Sequence, residues 1–113
     1  MSEQSSYKKI AAIACVRNEA DIIEPFVRHT LHYCDHLAVI DHGSSDETGY
    51  ILEQLGAEGL SLTVRRDDRV GNFQAEQMNL LAHFVVDELS ADWVVCLDAD
   101  EFLTADIRPY IDS

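Results

Sequence analysis

Short apolar segments alternate with segments of helical periodicity along this chain, and this alternation limits its fold more than any other feature. The first apolar segment, Ile10–Val16, is an unbroken apolar run, which is typical of a strand buried on both faces of a parallel sheet. Leu37–Ile40 and Trp93–Leu97 have the same character, and Leu60–Val64 alternates apolar and polar residues. The sequence therefore predicts a strand at each of these segments.

Between the strands, apolar residues recur every three or four positions, as on the buried face of an amphipathic helix. The first predicted helix covers about Asp21–Tyr33. The second follows a turn in which Ser44 and Glu47 have capping-box spacing, and Asp46 is an alternative N-cap. The third covers about Phe73–Leu89. Its predicted buried stripe consists of Ala75, Met78, Leu81, Ala82, Val85 and Leu89.

This order of elements predicts an open, mostly parallel, doubly wound α/β sheet of the Rossmann-like kind, because right-handed crossovers place helices on both faces. We predict the strand order 3-2-1-4. Ligands of such sheets bind outside the carboxyl ends of the strands where the strand order reverses, which here lies beside the first strand. With 113 residues and 47% apolar composition, residues 1–113 are predicted to form one domain that begins with a polar leader at residues 1–8.

The charge balance excludes several classes of partner. Eight Lys and Arg residues against 21 Asp and Glu residues give a formal net charge of −13, which repels nucleic acid and anionic lipid surfaces. An anionic ligand would therefore need a divalent cation or a few well-placed basic groups. The polar amino terminus and the lack of an apolar run of about 18 residues predict no signal peptide and no membrane span, hence a cytoplasmic location.

The cysteines and histidines predict neither a disulfide framework nor a zinc site. Cys15, Cys34 and Cys96 are odd in number and have no C-x-x-C spacing, so reduced and buried thiols are expected. A possible histidine stripe on the first helix would have to include His36, which directly precedes a predicted strand. The stripe therefore does not form one helical face for a metal.

Polar residues collect at the carboxyl ends of the predicted strands. The segment R-N-E at 17–19 follows the first strand, Asp41 ends the second, and Asp98 and Asp100 follow the fourth. The opposite ends of these strands carry no comparable cluster. Carboxylates at this spacing supply the hard oxygen ligands that divalent cations prefer. We therefore predict a ligand site at this edge of the sheet, with a metal at Asp98 and Asp100.

These segments resemble those of the nucleotide-diphospho-sugar transferases with the GT-A fold, and specifically glycosyltransferase family 2. The segment V-R-N-E at 16–19 ends the first strand, D-H-G-S-S-D-E-T at 41–48 looks like the family's D-x-G-S-x-D-x-T turn, and L-D-A-D-E-F at 97–102 carries a D-x-D motif. The resemblance spans about residues 10–111, with the three motifs in the family's order. The family's G-x-x-x-A-x-N segment is matched loosely by Gly71, Ala75 and Asn79.

The resemblance implies how this site would bind a nucleoside diphosphate sugar. Asp41 would hydrogen-bond the base or ribose, and Glu19 would line the base pocket. Asp98 would contact the ribose or the metal, and Asp100 would coordinate Mg²⁺ or Mn²⁺ that bridges the diphosphate. The residues suggested for phosphate or base contacts are Arg17 and Arg69.

The activity that the resemblance implies is transfer of the sugar, with inversion, to a hydroxyl acceptor that the sequence does not identify. His42 stands where the family commonly has Asp, which removes an acidic contact near the base. The family's acceptor-binding half and catalytic carboxylate base lie further along than Ser113. No catalytic residue is therefore assigned, and the chain is expected to be part of a longer glycosyltransferase and to bind donor without transferring sugar.

Two other functions stay open at this stage. A non-catalytic module that binds a nucleotide sugar or a protein partner would keep the same site without the chemistry. Phosphatases of the haloacid dehalogenase type also carry D-x-D, but theirs follows the first strand, whereas this one follows the fourth and precedes Glu101. Exposed apolar helix faces beside a sheet edge would favour a homo-oligomer.

Overall fold

The computed structural model of the protein describes residues 8–99, in which strands and helices alternate and all strand pairs are parallel. The elements are β1 (Ile10–Val16), α1 (Ile23–Tyr33), β2 (His36–Asp41), α2 (Thr48–Ala57), β3 (Leu62–Arg66), α3 (Gln74–Asp87) and β4 (Trp93–Cys96). The sheet order is β3-β2-β1-β4, so the predicted α/β class and strand order are confirmed. Within this part of the chain, no helix has the length and apolar character to span a bilayer.

β1 lies inside the sheet and is covered on both faces. Its even-numbered residues pack in one core cluster with α1 and α2. Ala11 and Ile13 pack in a second cluster with Leu81 and Val85 of α3. Because both faces are buried, every position of β1 must be apolar, which explains the unbroken apolar run.

The carboxyl ends of the strands lie side by side. Val16 pairs with Asp41, and Asp41 in turn pairs with Arg66, so β1, β2 and β3 end at the same edge. On the other side of β1, Ile13 pairs with Cys96 of β4. The strand order therefore reverses between β1 and β4, and the ends of both strands border that point.

One part of the predicted stripe on α3 is wrong. The buried positions of this helix are Gln77, Leu81 and Val85, which are four residues apart and share one face. Ala75 is exposed, because two residues correspond to a rotation of about 200° around the helix from Gln77. The core face of α3 thus begins with a polar residue, which a search for apolar periodicity does not detect.

The predicted capping box before α2 is also wrong. α2 begins at Thr48 and has no side-chain cap at Glu47. The N–H of Thr48 bonds the carboxylate of Asp46 (2.9 Å), which the sequence offered as the alternative. The hydroxyl of Ser44 has a different partner, because it accepts the backbone N–H of Asn18 (2.9 Å).

Asn18 joins the loop after β1 to the turn before α2. Its φ of 53° lies in the left-handed region, which Asn tolerates better than most residues. Its side-chain oxygen accepts the backbone N–H groups of Ser45 (2.8 Å) and Asp46 (3.3 Å). The N–H of Glu19 donates to the hydroxyl of Thr48 (2.8 Å). These bonds fix the loops that follow β1 and β2 relative to each other.

Asn18→Ala should lower the free energy of unfolding by about 1–3 kcal/mol, because it leaves two amides without their acceptor and puts a Cβ-bearing residue without a polar side chain in the left-handed region. Asn18→Gly should cost less, because glycine adopts this φ freely. Urea unfolding measures both variants. Asn79→Ala, at an exposed position inside α3, is the control and should not lower stability, because helix propensity favours Ala there by up to about 0.7 kcal/mol. Wild-type stability of Asn18→Ala would contradict the role of this side chain.

Candidate functional site

A cleft of about 360 Å³ opens at the carboxyl ends of β1 and β4, where the strand order reverses. Its walls come from the end of β1, the loop after β2, the start of α3 and the segment after β4. The residues that line it are Cys15, Val16, Arg17, His42, Gly71, Asn72, Gln74, Gln77 and Asp98. Open α/β sheets bind their ligands at this position, and the volume is of the size of small-molecule sites.

Two of the predicted site residues, Arg17 and Asp98, line this cleft together. Arg17 directly follows β1, Asp98 comes shortly after β4, and both are exposed. A guanidinium suits the oxygens of a phosphate, and a carboxylate suits a divalent cation or hydroxyl groups. The cleft thus combines one group for an anion with one for a cation.

Asp41 lies beside the cleft but does not line it. Its side chain is buried and borders a separate hollow between α2 and β3. Its carboxylate accepts hydrogen bonds from the guanidinium of Arg66 (3.1 Å) and from the backbone N–H of Ser44 (3.2 Å). The fold therefore gives this carboxylate internal partners, and its contact with base or ribose stays a prediction.

Glu19 also lies outside the lining of the cleft. Its backbone carbonyl accepts the N–H groups of Ile22 (3.0 Å) and Ile23 (2.8 Å), which begin α1. Its own N–H is held by Thr48, so the backbone at this position is fixed from both sides. Its predicted place in a base pocket stays a prediction.

Arg69 borders a second hollow of about 130 Å³, which it shares with Arg17 and His42. Its guanidinium forms ion pairs with Asp67 (2.7 Å) and Glu76 (3.0 Å) and lies 4.0 Å from the ring centroid of Phe73. Hydrogen bonds from Arg69 and then Gln77 hold the pKa of Asp67 well below its usual range. Arg69 is therefore a fixed basic group whose charge is balanced by two carboxylates, and its contact with a ligand stays a prediction.

His42 lines both hollows, although it was not among the predicted site residues. Its ring Nε2 donates to the backbone carbonyl of Arg69 (2.7 Å), and its ring lies 6.3 Å from that of Phe73. It lines the main cleft and the hollow beside it. The available signal was its position directly after Asp41, at the carboxyl end of β2.

Cys15 also lines the cleft, and its surroundings favour the neutral thiol. Burial raises the pKa of its thiol to about 11, and the negative charges of Asp67 and Asp98 add to that effect. Its Sγ–H donates to the sulfur of Met78 (3.4 Å). The thiol is therefore neutral at physiological pH, as expected for a packing residue.

The predicted metal ligands are only in part within the described chain. Asp98 is exposed in the cleft, and Asp100 lies outside residues 8–99. Among residues 8–99, no group of three or more His, Cys, Asp or Glu side chains is arranged to hold a metal ion. A cation at Asp98 would take its other ligands from elsewhere, such as a bound diphosphate.

Two glycines of α2 test the ion pair at Asp41. A Cβ on Gly49 would lie 2.9 Å from Oδ2 of Asp41 and 3.1 Å from Nη1 of Arg66, whereas a Cβ on Gly56 meets nothing within 4 Å. Gly56→Ala should raise the free energy of unfolding by about 0.5–1 kcal/mol through helix propensity. Gly49→Ala should instead lower it by about 1–3 kcal/mol, because the pair must shift. Equal effects of the two variants in urea unfolding would contradict this packing.

The comparisons with known proteins agree with this architecture. The family model described as "Glycosyl transferase family 2" matches residues 11–109. Among solved structures, the chain is similar to a mannosyltransferase from Pyrobaculum calidifontis in complex with GDP-Man and Mn²⁺, with a TM-score of 0.70 and 24% identity. That similarity covers 89% of this chain and 30% of the mannosyltransferase chain, and at this identity it shows the fold.

Two curated relatives have similar sequences. An uncharacterized glycosyltransferase of Rickettsia bellii is 30% identical over 105 residues, which are 93% of this chain and 32% of that protein. A TPR repeat-containing protein of Synechococcus elongatus is 30% identical over 95 residues, which are 84% of this chain and 21% of that protein. The chain thus spans about a third or less of the length of these relatives.

Proposed function

Because the chain belongs to glycosyl transferase family 2, we propose that it is the donor-binding part of an enzyme that transfers a sugar from a nucleoside diphosphate sugar to a hydroxyl acceptor. The observation that carries this proposal is the cleft at the reversal of strand order, which Arg17 and Asp98 line together. The mannosyltransferase of the same fold holds a nucleotide sugar with Mn²⁺, and we propose a ligand of that class for this cleft.

The diphosphate needs local positive charge, because the chain as a whole carries −13. Arg17 is exposed in the cleft and is the phosphate contact that we propose first. Arg69 borders the adjoining hollow and would add a second basic group at the rim. Its ion pairs with Asp67 and Glu76 hold its guanidinium in place before the ligand arrives.

A divalent cation, Mg²⁺ or Mn²⁺, fits the oxygen ligands of this cleft. Asp98 supplies one carboxylate, and Asp100 would supply the second. Mg²⁺ at nucleotide sites is usually held by one or two carboxylates together with substrate phosphates, and Mn²⁺ favours the same kinds of oxygen ligand. When bound, the cation would stabilise the negative charge that develops on the leaving diphosphate.

We assign the base or ribose end of the ligand to Asp41 and Glu19. Hydrogen bonds from Arg66 and from the N–H of Ser44 hold the carboxylate of Asp41 in place, and the N–H of Glu19 donates to Thr48. His42 stands between these loops and the rim at Arg69, and offers a ring nitrogen where the family commonly has a carboxylate. A loop arrangement that is fixed before binding lowers the entropic cost of holding a nucleotide.

The reaction that we propose proceeds with inversion at the sugar and takes place in the cytoplasm. The acceptor and the catalytic base are not assigned to any position of this chain. The carboxylates described above would serve the donor, so loss of any one of them should first be visible in donor binding.

Nucleotide binding to the chain should require the cation. Calorimetric titration with GDP and UDP should show affinity that falls about tenfold or more when EDTA removes Mn²⁺ or Mg²⁺, because an acidic site and an anionic ligand otherwise repel each other. Asp98→Asn and Asp100→Asn should each bind nucleotide in Mn²⁺ only as weakly as the wild type does in EDTA. The matched control is Asp87→Asn, which removes the same charge at the last residue of α3. This residue lies about 20 Å from the first residue of α3, which is at the cleft. Metal-independent affinity of the wild type would contradict the metal site.

Asp41→Asn should separate the base end of the ligand from the metal end. The amide keeps the size of the side chain and an acceptor for Ser44, but removes the negative charge. Affinity for GDP or UDP should fall by about 1–3 kcal/mol while the difference between Mn²⁺ and EDTA persists. A thermal melt of the free variant checks that the lost ion pair with Arg66 has not unfolded the chain. Wild-type affinity for both nucleotides would remove Asp41 from the site.

A further inference from the structure

Gln77 is a buried polar residue at the cleft whose hydrogen bonding is incomplete. It lies near the start of α3, lines the cleft with Arg17 and Asp98, and is 2% exposed. Its side-chain oxygen Oε1 is buried and has no hydrogen-bond partner among residues 8–99. A buried amide oxygen without a partner costs about 1–3 kcal/mol, so such atoms are rare and require an explanation.

The orientation of this amide follows from its other partner. Nε2 of Gln77 donates to Oδ2 of Asp67 (2.9 Å). Asp67 also accepts from the guanidinium and the backbone N–H of Arg69, and these bonds keep its pKa low and its carboxylate ionised. An ionised carboxylate only accepts hydrogen bonds, so a flipped amide would place two acceptors against each other. Oε1 is therefore the atom of this amide that has no partner among residues 8–99.

The network that holds Gln77 reaches both proposed ends of the ligand, because Arg69 borders the hollow with Arg17 and is bonded to His42, which directly follows Asp41. Arg69 pairs with Asp67, receives the hydrogen bond of His42 at its carbonyl, and borders the hollow that contains Arg17. The bond to Asp67 thus holds the amide nitrogen of Gln77 between the basic rim at Arg69 and the cleft. Its oxygen has almost no accessible surface in the free protein, so a donor group of the ligand reaches it only when the amide turns toward the cleft that Gln77 lines.

We propose that Oε1 of Gln77 accepts a hydrogen bond from the nucleoside of the bound ligand, either from a ring N–H of the base or from a ribose hydroxyl, and so contributes to the choice of nucleotide. This inference rests on the proposed function. It assigns a specificity-determining role to a residue that lies outside the strand-end carboxylates. The free protein carries the cost of the unpartnered oxygen, and the ligand removes it on binding.

Gln77→Met tests this assignment, because Met has a similar volume and helix propensity but no amide. With Mn²⁺ present, calorimetry should show that the variant binds UDP about five- to tenfold more weakly than the wild type does. Gln54→Met, at an exposed position of α2, is the matched control and should bind as the wild type does. Thermal melting of the free proteins establishes that both variants are folded.

Analogues of the ligand distinguish the two sources of the hydrogen bond and need only the wild type. UDP methylated at the ring N–H, 2′-deoxy-UDP and 3′-deoxy-UDP each lack one donor. The analogue that lacks the partner of Gln77 should bind the wild type about five- to tenfold more weakly than UDP does. The same analogue should have equal affinity for the wild type and for Gln77→Met. This loss of dependence on the side chain identifies the donor group.

The outcomes separate this inference from the proposed function. If the wild type binds neither UDP nor GDP, the proposed function fails and the role of Gln77 fails with it. If the wild type binds nucleotide and Gln77→Met binds it equally well, only the role of Gln77 is overturned, and a bound water or another part of the chain occupies Oε1. If all three analogues bind the wild type as tightly as UDP, the role is likewise overturned.

Discussion

The pairing of β1 with β2 on one side and with β4 on the other is the constraint on which the rest of this structure depends. Helices cover both faces of β1, so the length of this strand is closed to ligands. Its carboxyl end is not covered and borders the cleft. Because the chain leaves β1 toward β2 and β4 returns on the opposite side, the crossovers diverge there and leave a gap. Arg17 and Asp98 meet at that gap as a direct result of this topology.

In an acidic chain, an anionic ligand needs a basic side chain that is not already paired with a carboxylate. Here two arginines at the strand ends balance internal carboxylates: Arg66 pairs with the buried Asp41, and Arg69 pairs with Asp67. These pairs place the loops after β2 and β3. Arg17 forms no ion pair with any other residue between 8 and 99 and lines the cleft, so its charge is available there to a ligand.

Much of the fold was predictable because strands that are buried on both faces of the sheet consist of apolar residues, which the sequence shows directly. The predicted and observed bounds of β1 agree, the alternation of elements predicts the parallel sheet, and the predicted strand order is the observed one. The third strand was predicted over Leu60–Val64 but lies at Leu62–Arg66, because backbone pairing with β2 extends it through two arginines. Charged residues conceal such a strand in the sequence, since their charged ends stay in water while the backbone is paired.

The sequence by itself determined which residues are apolar, where each strand meets a polar turn, and that the polar turns gather at one edge, because these depend on local periodicity and on the handedness of crossovers. Only the tertiary structure decided how polar groups far apart in the sequence share their hydrogen bonds. In the structure, the hydroxyl of Ser44 accepts the N–H of Asn18 instead of capping a helix, and Arg66 donates to the carboxylate of Asp41. The oxygen of Gln77 has no partner among the described residues. Such choices depend on distances and angles between separate elements, which residue types alone do not specify.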